Sequence, residues 1–488
     1  MNNRNIVEII DAVPRFEYAR FHKPVNWAVK EGEHWAVIGS NGAGKTLLVD
    51  ILLRKYALLS GEVVYKDDSG NELSVSNVVK SVAFRDIYSL VDTQDSYYQQ
   101  RWNKGIEYDV PTVSDIVANA NNKWLNELVS WFGIQDLMQK EINLLSSGEL
   151  RKFLVVKSLL SGPKILILDN PFIGLDKDSR VVLNDLFTQL AQFNGLQIIL
   201  VLSDPQDIPD IITNVIPIDN MHVLETMNRE EFISKQTLIS DLFKKQDVDL
   251  EEIRMLKQDY NDNRLDFENA ALLNNIHIRY DNRTILENLD WKVRRGDKWA
   301  LLGPNGSGKS TLLSLICGDN PQAYANDITL FDRKRGTGES IWDIKRRIGY
   351  ISPEMHLYYL KNVRCLDVVG SGFFDTIGLY RKCTAEQEAV AMRWMKVLGI
   401  DRIKDNSFLN ISSGEQRLVL LARVFVKNPD LLILDEPLHG LDVLNKRRVK
   451  KIIENFCDAA KSLIYVTHYE HEIPSVVDNR LTLKKINI

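Results

Sequence analysis

Residues 295–310 have the sequence RGDKWALLGPNGSGKS, and residues 31–46 have the sequence EGEHWAVIGSNGAGKT. Each stretch runs from a charged turn through a short apolar segment into a glycine-rich loop that ends in a lysine and a hydroxyl residue. Helical periodicity follows in both copies, as in KSTLLSLIC after the second loop. The pattern predicts a buried strand, a tight loop and a helix in each half of the chain.

The repetition extends over most of the chain, at an almost constant offset. The matching pairs are Phe16 with Tyr280, Trp27 with Trp291, LSSGE (145–149) with ISSGE (411–415), ILILDNPFIGLD (165–176) with LLILDEPLHGLD (431–442), and SDPQDIP (203–209) with HYEHEIP (468–474). A single long repeat of this kind indicates one domain that has been duplicated.

Composition excludes several classes of protein. A chain of 488 residues is too long for one core, and 44% hydrophobic with 26% charged residues is ordinary for a globular protein. The net charge of -5 gives no general attraction to nucleic acid or anionic lipid, which argues against a nucleic-acid partner.

Cellular location can also be inferred from the residues. The four cysteines lie far apart in the second half without CxxC spacing, which favours a reducing cytoplasm over a disulfide or zinc scaffold. The N-terminus has no apolar signal core, and the apolar runs are much shorter than the roughly 20 residues that a membrane span needs. We expect a cytoplasmic protein without an intrinsic span, which reaches a membrane only peripherally, at the inner face of the plasma membrane, through another subunit.

Short apolar strands alternate with helical patterns in each half, which predicts an α/β fold with two mostly parallel sheets. Each half also inserts a more helical segment, such as AEQEAVAMRWMKVLGI (385–400). Residues 225–268 interrupt the repeat and are charged, free of glycine and partly helical in period. The predicted organisation is a domain at 1–224, a connector at 225–268 that is a solvated linker or a partner-binding arm, and a domain at 269–488.

Both glycine-rich loops match GxxxxGK[ST]. Such loops turn backbone N–H groups toward phosphate oxygens, while the lysine reaches the β and γ phosphates and the hydroxyl is offered to Mg²⁺. Glycine turns without a ligand are the alternative. The candidate phosphate-binding residues are Gly39, Asn41, Gly42, Gly44, Lys45 and Thr46 in the first loop, and Gly303, Asn305, Gly306, Gly308, Lys309, Ser310 and Thr311 in the second.

Asp169 and Asp435 end apolar strands, where a carboxylate can hold the magnesium shell or merely cap a turn. With a phosphate loop in the same half, the sequence favours the metal role, shared with Thr46 and Ser310. The next residue differs between the copies, because it is Asn170 in the first and Glu436 in the second. A carboxylate beside a phosphate site can accept a proton, whereas a carboxamide cannot.

The SSGE segments place serine and glycine at the start of a helix, where they form a helix cap or a second anion cradle. A phosphate loop, an LSGGQ-like signature, an apolar strand ending in Asp-Glu, a GLD segment and a histidine after a strand resemble the ATP-binding cassette (ABC) ATPases. Both halves follow this order. Both signatures depart from LSGGQ in the same way, with Ser147 and Ser413 at the first glycine and Glu149 and Glu415 at the glutamine.

The resemblance implies that ATP and Mg²⁺ bind between two cassettes stacked within the chain, each phosphate loop facing the other cassette's signature. One site would combine the first loop, Asp169, Asn170 and Ser203 with Ser412 and Gly414. The other would combine the second loop, Asp435, Glu436 and His468 with Ser146 and Gly148.

Further roles follow from the same resemblance. Glu436 would be the general base or water-positioning group, and His468 would sense the γ-phosphate. Asp176 and Asp442 would lie in the loops that cross the interface. Phe16 and Tyr280 would stack on adenine, or else be ordinary core aromatics.

Asn170 and Ser203 replace the base and the sensing histidine together, which favours a site that holds ATP beside a site that hydrolyses it. Chance substitution at a tolerant strand end is the alternative for either change alone. No residue is chosen for the family's glutamine loop, for which Glu354, Gln94, Gln99 and Gln100 are the candidates.

The segments 326–356 and 376–382 resemble tandem cassette proteins labelled as molybdate-transport or photorepair ATP-binding proteins. This implies an ATPase that serves as the ATP-binding subunit of a transport system and docks on a separate membrane permease. A tandem ABC ATPase that acts on ribosomes or nucleic acid is the alternative, and a nucleotide-binding scaffold without turnover is the third.

Overall fold

The structure is a computed structural model with two compact units. It describes residues 4–17, 20–66, 72–83, 111–117, 125–142, 145, 147–172, 177–192, 195–243, 248–258, 266–280, 283–304, 306–353, 355, 359, 362–376 and 381–486. Among the described residues, unit 1 comprises those within 4–83, 111–243 and 440–444, and unit 2 comprises those within 248–439 and 445–486.

Unit 1 contains ten strands and eight α-helices within its described residues. The strands are β1 (Asn5–Pro14), β2 (Val25–Lys30), β3 (Trp35–Ile38), β4 (Leu58–Tyr65), β5 (Val79–Ala83), β6 (Ile165–Asp169), β7 (Gln197–Leu202), β8 (Asn214–Asp219), β9 (His222–Val223) and β10 (Met227–Asn228). The helices are α1 (Lys45–Leu52), α2 (Val75–Val78), α3 (Val113–Val117), α4 (Leu125–Trp131), α5 (Ser147–Leu159), α6 (Lys177–Ala191), α7 (Arg229–Ser234) and α8 (Gln236–Leu242).

The main sheet of unit 1 has the order β5-β6-β7-β3-β8, and these five strands are parallel. Every residue of β3 and β7 is buried. This burial explains the unbroken apolar runs, since a parallel strand is covered on both faces. β9 and β10 extend the sheet antiparallel to β8, and a separate antiparallel sheet has the order β2-β1-β4.

Unit 2 contains nine strands and seven α-helices within its described residues. The strands are β11 (Asn269–Tyr280), β12 (Arg283–Arg294), β13 (Lys298–Leu302), β14 (Asp327–Leu330), β15 (Arg333–Lys334), β16 (Ile348–Ile351), β17 (Leu431–Asp435), β18 (Ser462–Val466) and β19 (Asn479–Thr482). The helices are α9 (Leu250–Gln258), α10 (Lys309–Ile316), α11 (Ile341–Lys345), α12 (Cys365–Gly370), α13 (Ala385–Val397), α14 (Ser413–Phe425) and α15 (Val443–Phe456).

The main sheet of unit 2 has the order β16-β17-β18-β13-β19, again with all pairs parallel. It repeats the order β5-β6-β7-β3-β8 of unit 1 strand for strand. The antiparallel sheet β12-β11-β14-β15 takes the place of β2-β1-β4. The predicted duplicated α/β fold with mostly parallel sheets is confirmed.

The inserted helical segment of unit 2 is held by aromatic packing. The Trp394 ring of α13 stacks on Phe425 of α14, with centroids 5.0 Å apart, and meets Phe456 of α15 edge-on at 5.8 Å. All three side chains are fully buried. The apolar face that α13 shows in its sequence is therefore the face that binds it to the rest of unit 2.

The described residues of the connector predicted at 225–268 form strand β10 and helices α7, α8 and α9, and these parts belong to different units. Within unit 1, β10 pairs with β8, and Phe232 of α7 and Leu242 of α8 are buried in the core. Within unit 2, α9 buries Ile253 and Leu256. The limits of the two domains given above remain predictions.

No helix among the residues that the structure describes has the length and apolar character needed to cross a membrane.

Candidate functional site

Two glycines in each glycine-rich loop have similar backbone angles. Gly42 and Gly306 both have a φ of 77°, and Gly44 and Gly308 have φ values of 112° and 94° just before the helix. Helices α1 and α10 begin at the loop lysine, and neither has a side-chain cap or an acidic residue in its first turn. The first N–H groups of each helix therefore have no capping side chain, as in helix ends that bind phosphate.

The first glycine of each loop is required by packing. A Cβ on Gly39 would lie 2.2 Å from the carbonyl oxygen of Ile218, and a Cβ on Gly303 would lie 2.6 Å from that of Leu483. Both carbonyls belong to the chain at the end of the neighbouring parallel strand. Only glycine allows the loop to leave the sheet so close to another backbone.

The loop lysines are buried and folded into the loops. Lys45 Nζ donates to the carbonyl oxygens of Gly39 at 2.9 Å and Ser40 at 2.8 Å, and Lys309 Nζ donates to those of Gly303 at 2.8 Å and Pro304 at 3.0 Å. Each ammonium thus lies inside the turn of its loop. The amides, the helix end and the ammonium together form an arrangement that suits a polyphosphate.

The residue after each central strand adopts an unusual backbone conformation. Asn170 follows β6 and Glu436 follows β17, and both have a φ of 48°. Each donates its N–H across to the adjacent strand, Asn170 to Val201 O at 2.9 Å and Glu436 to Val466 O at 3.0 Å. The left-handed conformation turns both side chains out of the strand at the same place in their sheets.

In unit 2, Glu436 lies between two imidazoles. Its Oε1 is 3.0 Å from His468 Nε2, and its Oε2 is 4.0 Å from His439 Nδ1. Burial by itself would raise the pKa of Glu436, but the hydrogen bond from His468 and the positive charge of His439, His468 and Arg417 outweigh it and lower the pKa. Glu436 is therefore an ionised carboxylate held by a histidine, and its role as a base remains a prediction. His439 was not predicted. Its difference from Ile173, at the matching position of the first copy, was the signal that the sequence offered.

Arg417 of α14 holds the backbone beneath Glu436. Its guanidinium donates to the carbonyl oxygens of Asp435 at 2.8 Å, Glu436 at 2.6 Å and Ser352 at 2.5 Å. Burial lowers the pKa of Arg417 to about 10, so it still carries its charge at neutral pH. Arg151 of α5 is also buried and donates to Pro171 O in unit 1. An arginine at the same place in two apolar helices was the signal that the sequence offered for this role.

In unit 1, an amide network replaces the carboxylate and imidazole. Asn170 Nδ2 donates to Asp169 Oδ1 at 2.8 Å, and Ser203 Oγ donates to Asn170 Oδ1 at 3.1 Å. Ser203 Oγ also lies 3.2 Å from Asn41 Oδ1 in the phosphate loop. This network contains no group at positions 170 or 203 that could take up a proton at neutral pH.

The residues proposed for magnesium are one carboxylate and one hydroxyl in each unit. Asp435 is 8% exposed at the end of β17, and Ser310 lies in the first turn of α10. Asp169 and Thr46 have the same positions in unit 1. Among the described residues no group of three or more His, Cys, Asp or Glu side chains could hold a metal. This donor set fits Mg²⁺ that arrives with a nucleotide, because Mg²⁺ is usually held by one or two carboxylates, phosphate oxygens and water.

The signature segments begin helices, as predicted. Ser412 caps α14 in a capping box, where its Oγ accepts from Glu415 N at 3.3 Å and Glu415 Oε2 accepts from Ser412 N at 3.0 Å. The capping alternative is therefore confirmed for this helix, and the departure from glutamine to Glu415 supplies the box. Gly414 is buried in the first turn. Gly148 lies in the first turn of α5, and a nucleotide contact of either glycine remains a prediction.

The two aromatic residues have different surroundings. Phe16 lies beyond the end of β1 and is 50% exposed, which excludes a core role. Tyr280 is the last residue of β11, is half-buried, and its hydroxyl accepts from Asn320 Nδ2 at 2.9 Å. Asn320 was not singled out in the sequence, because an asparagine before a proline also indicates a simple turn.

Asp442 is fully buried and belongs to unit 1, where its Oδ2 accepts from the N–H of Asn41 at 2.5 Å. Ser146, Asn305 and Asp176 lie outside the described residues, as do the glutamine-loop candidates Glu354, Gln94, Gln99 and Gln100.

Comparison with known proteins agrees with this geometry. Residues 22–173 and 286–439 match the ABC transporter family. The chain is 37% identical over 458 residues to the ABC transporter ATP-binding protein ModF of Escherichia coli K12, covering 92% of this chain and 91% of that protein. It is 28% identical to an uncharacterized ABC transporter ATP-binding protein of Schizosaccharomyces pombe, with 95% of each covered.

Solved structures share the fold at low identity. The structure described as RNase-L Inhibitor matches with a TM-score of 0.52 and 19% identity, covering 97% of this chain and 87% of that chain. The archaeal ribosome recycling factor aABCE1, solved with the ribosomal stalk protein aP1, matches with a TM-score of 0.51, 19% identity and the same coverage. At this identity the likeness concerns the fold alone. The chain belongs to the ABC transporter family and is an ATPase with two ABC cassettes in tandem.

Proposed function

We propose that this ATPase hydrolyses Mg-ATP in unit 2 and mainly holds its nucleotide in unit 1. One observation carries the proposal. The Glu436 carboxylate is fixed by His468 Nε2 at 3.0 Å, whereas the Asn170 amide at the same backbone position donates to Asp169 at 2.8 Å. A proton acceptor is thus present in one unit and replaced by a donor in the other.

In unit 2, each proposed residue has one task. The second loop and Lys309 bind the β and γ phosphates, and Ser310 and Asp435 hold the Mg²⁺ that neutralises the triphosphate charge. Glu436 orients the attacking water and accepts its proton at Oε2, the oxygen that His468 does not hold. His468 keeps Oε1 in place. It also brings an N–H donor to the end of the sheet where the phosphates are proposed to bind.

In unit 1, the residues are proposed only to bind the nucleotide and Mg²⁺. Lys45, Thr46 and Asp169 are positioned as their counterparts are, so binding of the triphosphate and Mg²⁺ is expected to survive. Asn170 and Ser203 can orient water by hydrogen bonds, but neither side chain accepts a proton at neutral pH. Phe16 and Tyr280 are proposed to stack on the adenine of the respective nucleotide.

The test is steady-state ATP turnover of two matched variants of the full chain. Glu436→Gln keeps the size of the side chain and removes only the base, and it should reduce kcat about 100-fold or more. Asn170→Ala should change kcat less than threefold, because no proton transfer depends on that side chain. Unchanged turnover in Glu436→Gln would contradict the role of Glu436 as the base, and absence of turnover in the parent chain would indicate a nucleotide-binding scaffold. Equal losses in both variants would contradict the division of labour.

We further propose that the ATPase serves as the ATP-binding subunit of a transport system, docking on a separate permease. The similarity to an ABC transporter ATP-binding protein over 92% of this chain supports this role. The test is affinity purification of the ATP-loaded Glu436→Gln chain from detergent-solubilised membranes. Stoichiometric recovery of an integral membrane protein is expected. Salt-sensitive co-sedimentation with ribosomes, without any membrane protein, would instead support the ribosomal role.

A further inference from the structure

Three side-chain amides fasten the end of β11 in unit 2. They belong to Asn320, Gln322 and Asn326, and we refer to them as the amide clasp. Gln322 Nε2 donates to Arg279 O at 3.1 Å, and its Oε1 accepts from Arg279 N at 3.4 Å. Asn326 Oδ1 accepts from His277 N at 2.8 Å. The short 3-10 helix Pro321–Ala325 thus continues the pairing of β11 by side chains in place of a neighbouring strand.

Asn320 is the member of the clasp that reaches a candidate ligand-binding residue. It is 1% exposed, and its Oδ1 accepts from Gln322 N at 3.0 Å. Because that bond fixes which end of the amide is oxygen, the Nδ2 end must donate, and it lies 2.9 Å from the Tyr280 hydroxyl and 3.1 Å from Ser314 Oγ. The oxygen of this buried amide therefore accepts, and its nitrogen donates, in each of these contacts.

Ser314 belongs to α10, the helix whose first residue is Lys309 of the phosphate loop. A backbone hydrogen bond also joins Asn320 to this helix, since Asn320 N donates to Ser314 O at 3.2 Å. Asn320 therefore ties the Tyr280 ring to the helix that carries the phosphate cradle at its other end. A helix is a stiff spacer, so the distance between the ring and the cradle is set by α10.

Unit 1 has different residues at these places. Asp50 takes the position of Ser314 and pairs with Lys55 at 2.7 Å, and Tyr56 takes the position of Asn320. Phe16, which has no hydroxyl, is 50% exposed beyond the end of β1. The aromatic of unit 1 thus lacks the amide and hydroxyl pair that fixes Tyr280.

We propose that Asn320 is a positioning residue that fixes the Tyr280 ring against a purine base. This inference rests on the proposed stacking of Tyr280 on adenine. A ring held in advance loses less rotational freedom on binding, and the stacking energy of the base is then realised more fully.

The test compares binding of Mg-ATP and Mg-tripolyphosphate to the full chain in a Lys45→Ala background, which confines tight binding to unit 2. Asn320→Ala should weaken ATP binding about two- to tenfold, the effect of one hydrogen bond, and leave tripolyphosphate binding unchanged. Tyr280→Phe, which removes only the hydroxyl, should do the same and guards against misfolding of Asn320→Ala. Tyr324→Ala, from the same 3-10 helix but 63% exposed, is the matched control and should change neither ligand.

The inference is overturned if both Asn320→Ala and Tyr280→Phe bind ATP within twofold of the parent chain. It is also overturned if they lose ATP and tripolyphosphate equally, because a damaged cradle and not a displaced ring would then be the cause. Neither result depends on hydrolysis. A failure of the proposed function appears separately, as unchanged turnover in Glu436→Gln.

Discussion

Asn170 and Glu436 share one backbone geometry and differ in chemistry. Both have a φ of 48°, and both donate the N–H to the carbonyl of the next parallel strand, at 2.9 Å and 3.0 Å. Asparagine tolerates the left-handed region better than glutamate, because its short side chain bonds locally. Unit 2 therefore keeps a residue that costs conformational energy at the point where a base is needed, while unit 1 has the residue that relieves this strain.

Replacing Asn170 with glutamate should destabilise the protein without restoring hydrolysis in unit 1. The left-handed backbone and the new charge beside Asp169 should lower the free energy of unfolding by about 1 kcal/mol. Ser203 offers no imidazole to fix the carboxylate, so the Asn170→Glu and Ser203→His double variant is required. We expect that pair, in the Glu436→Gln background, to regain measurable turnover, while Asn170→Glu alone does not. Full recovery by Asn170→Glu alone would show that the histidine position is dispensable.

The stability of the protein should depend on the ionisation of Glu436. Burial would raise its pKa, but the hydrogen bond from His468 and the nearby positive groups lower it below the ordinary value of 4.5. The folded chain thus binds fewer protons at this group than the unfolded chain. Its stabilisation is present above pH 4.5 and is lost as the pH falls through the folded-state pKa. The difference in unfolding free energy between wild type and Glu436→Gln should stay constant from about pH 6 to about pH 5 and shrink as the pH falls below 4.5 in denaturant titrations. A difference that does not vary with pH would refute this assignment.

Removing Arg417 should be costly, because its guanidinium satisfies buried carbonyls of Ser352, Asp435 and Glu436. Arg417→Ala should lower the free energy of unfolding by about 3 kcal/mol or more, since each buried group left unpaired costs about 1–3 kcal/mol. Arg417→Lys should rescue only part of this loss, because an ammonium cannot span the same carbonyls.

The matched control is Arg402→Ala. Arg402 pairs with Glu415 at 2.5 Å, but its side chain is 60% exposed, so the loss should stay below about 1 kcal/mol. Equal losses for the two arginines in chemical denaturation would contradict the backbone-holding role of Arg417.

Helix α9 of the connector should be held in unit 2 by apolar packing more than by its ion pairs. Ile253 and Leu256 are buried, and Leu256→Ala should cost about 2–4 kcal/mol. Glu252 and Arg393 lie 2.6 Å apart but are 18% and 31% exposed, so a double-mutant cycle should give a coupling below about 1 kcal/mol. A coupling energy larger than the free energy lost in Leu256→Ala would show that the ion pair holds α9 more strongly than the apolar packing does.

Residues with a strong local pattern were predictable from the sequence. The duplication, the parallel strands and both phosphate loops follow from apolar runs and from glycine and lysine spacing, whereas the assignment of Glu436 and His468 to one site rested on the resemblance to the ABC ATPases. Each of the strands and loops is encoded by residues that lie close together in the chain. Because the same patterns occur in both halves, each copy supported the prediction made from the other.

Contacts between distant residues were not predictable. Arg417 and Ser352 are far apart in the chain, as are Asn320 and Tyr280, and no periodicity records such pairs. The backbone conformation of Glu436 was also not predictable from the sequence. A φ of 48° is unusual for glutamate and depends on the backbone hydrogen bond to Val466 in the next strand. The division of the connector between the units depends on burial of single apolar residues such as Phe232 and Leu256.

Unit 2 is proposed to hydrolyse ATP while unit 1 holds it. The most direct measurement loads the full wild-type chain with Mg-ATP, allows a single round of hydrolysis, and counts the ADP and ATP that remain bound per chain. We expect one ADP and one ATP per wild-type chain, and only ATP in Glu436→Gln. Two ADP per wild-type chain, or bound ADP in Glu436→Gln, would contradict this proposal.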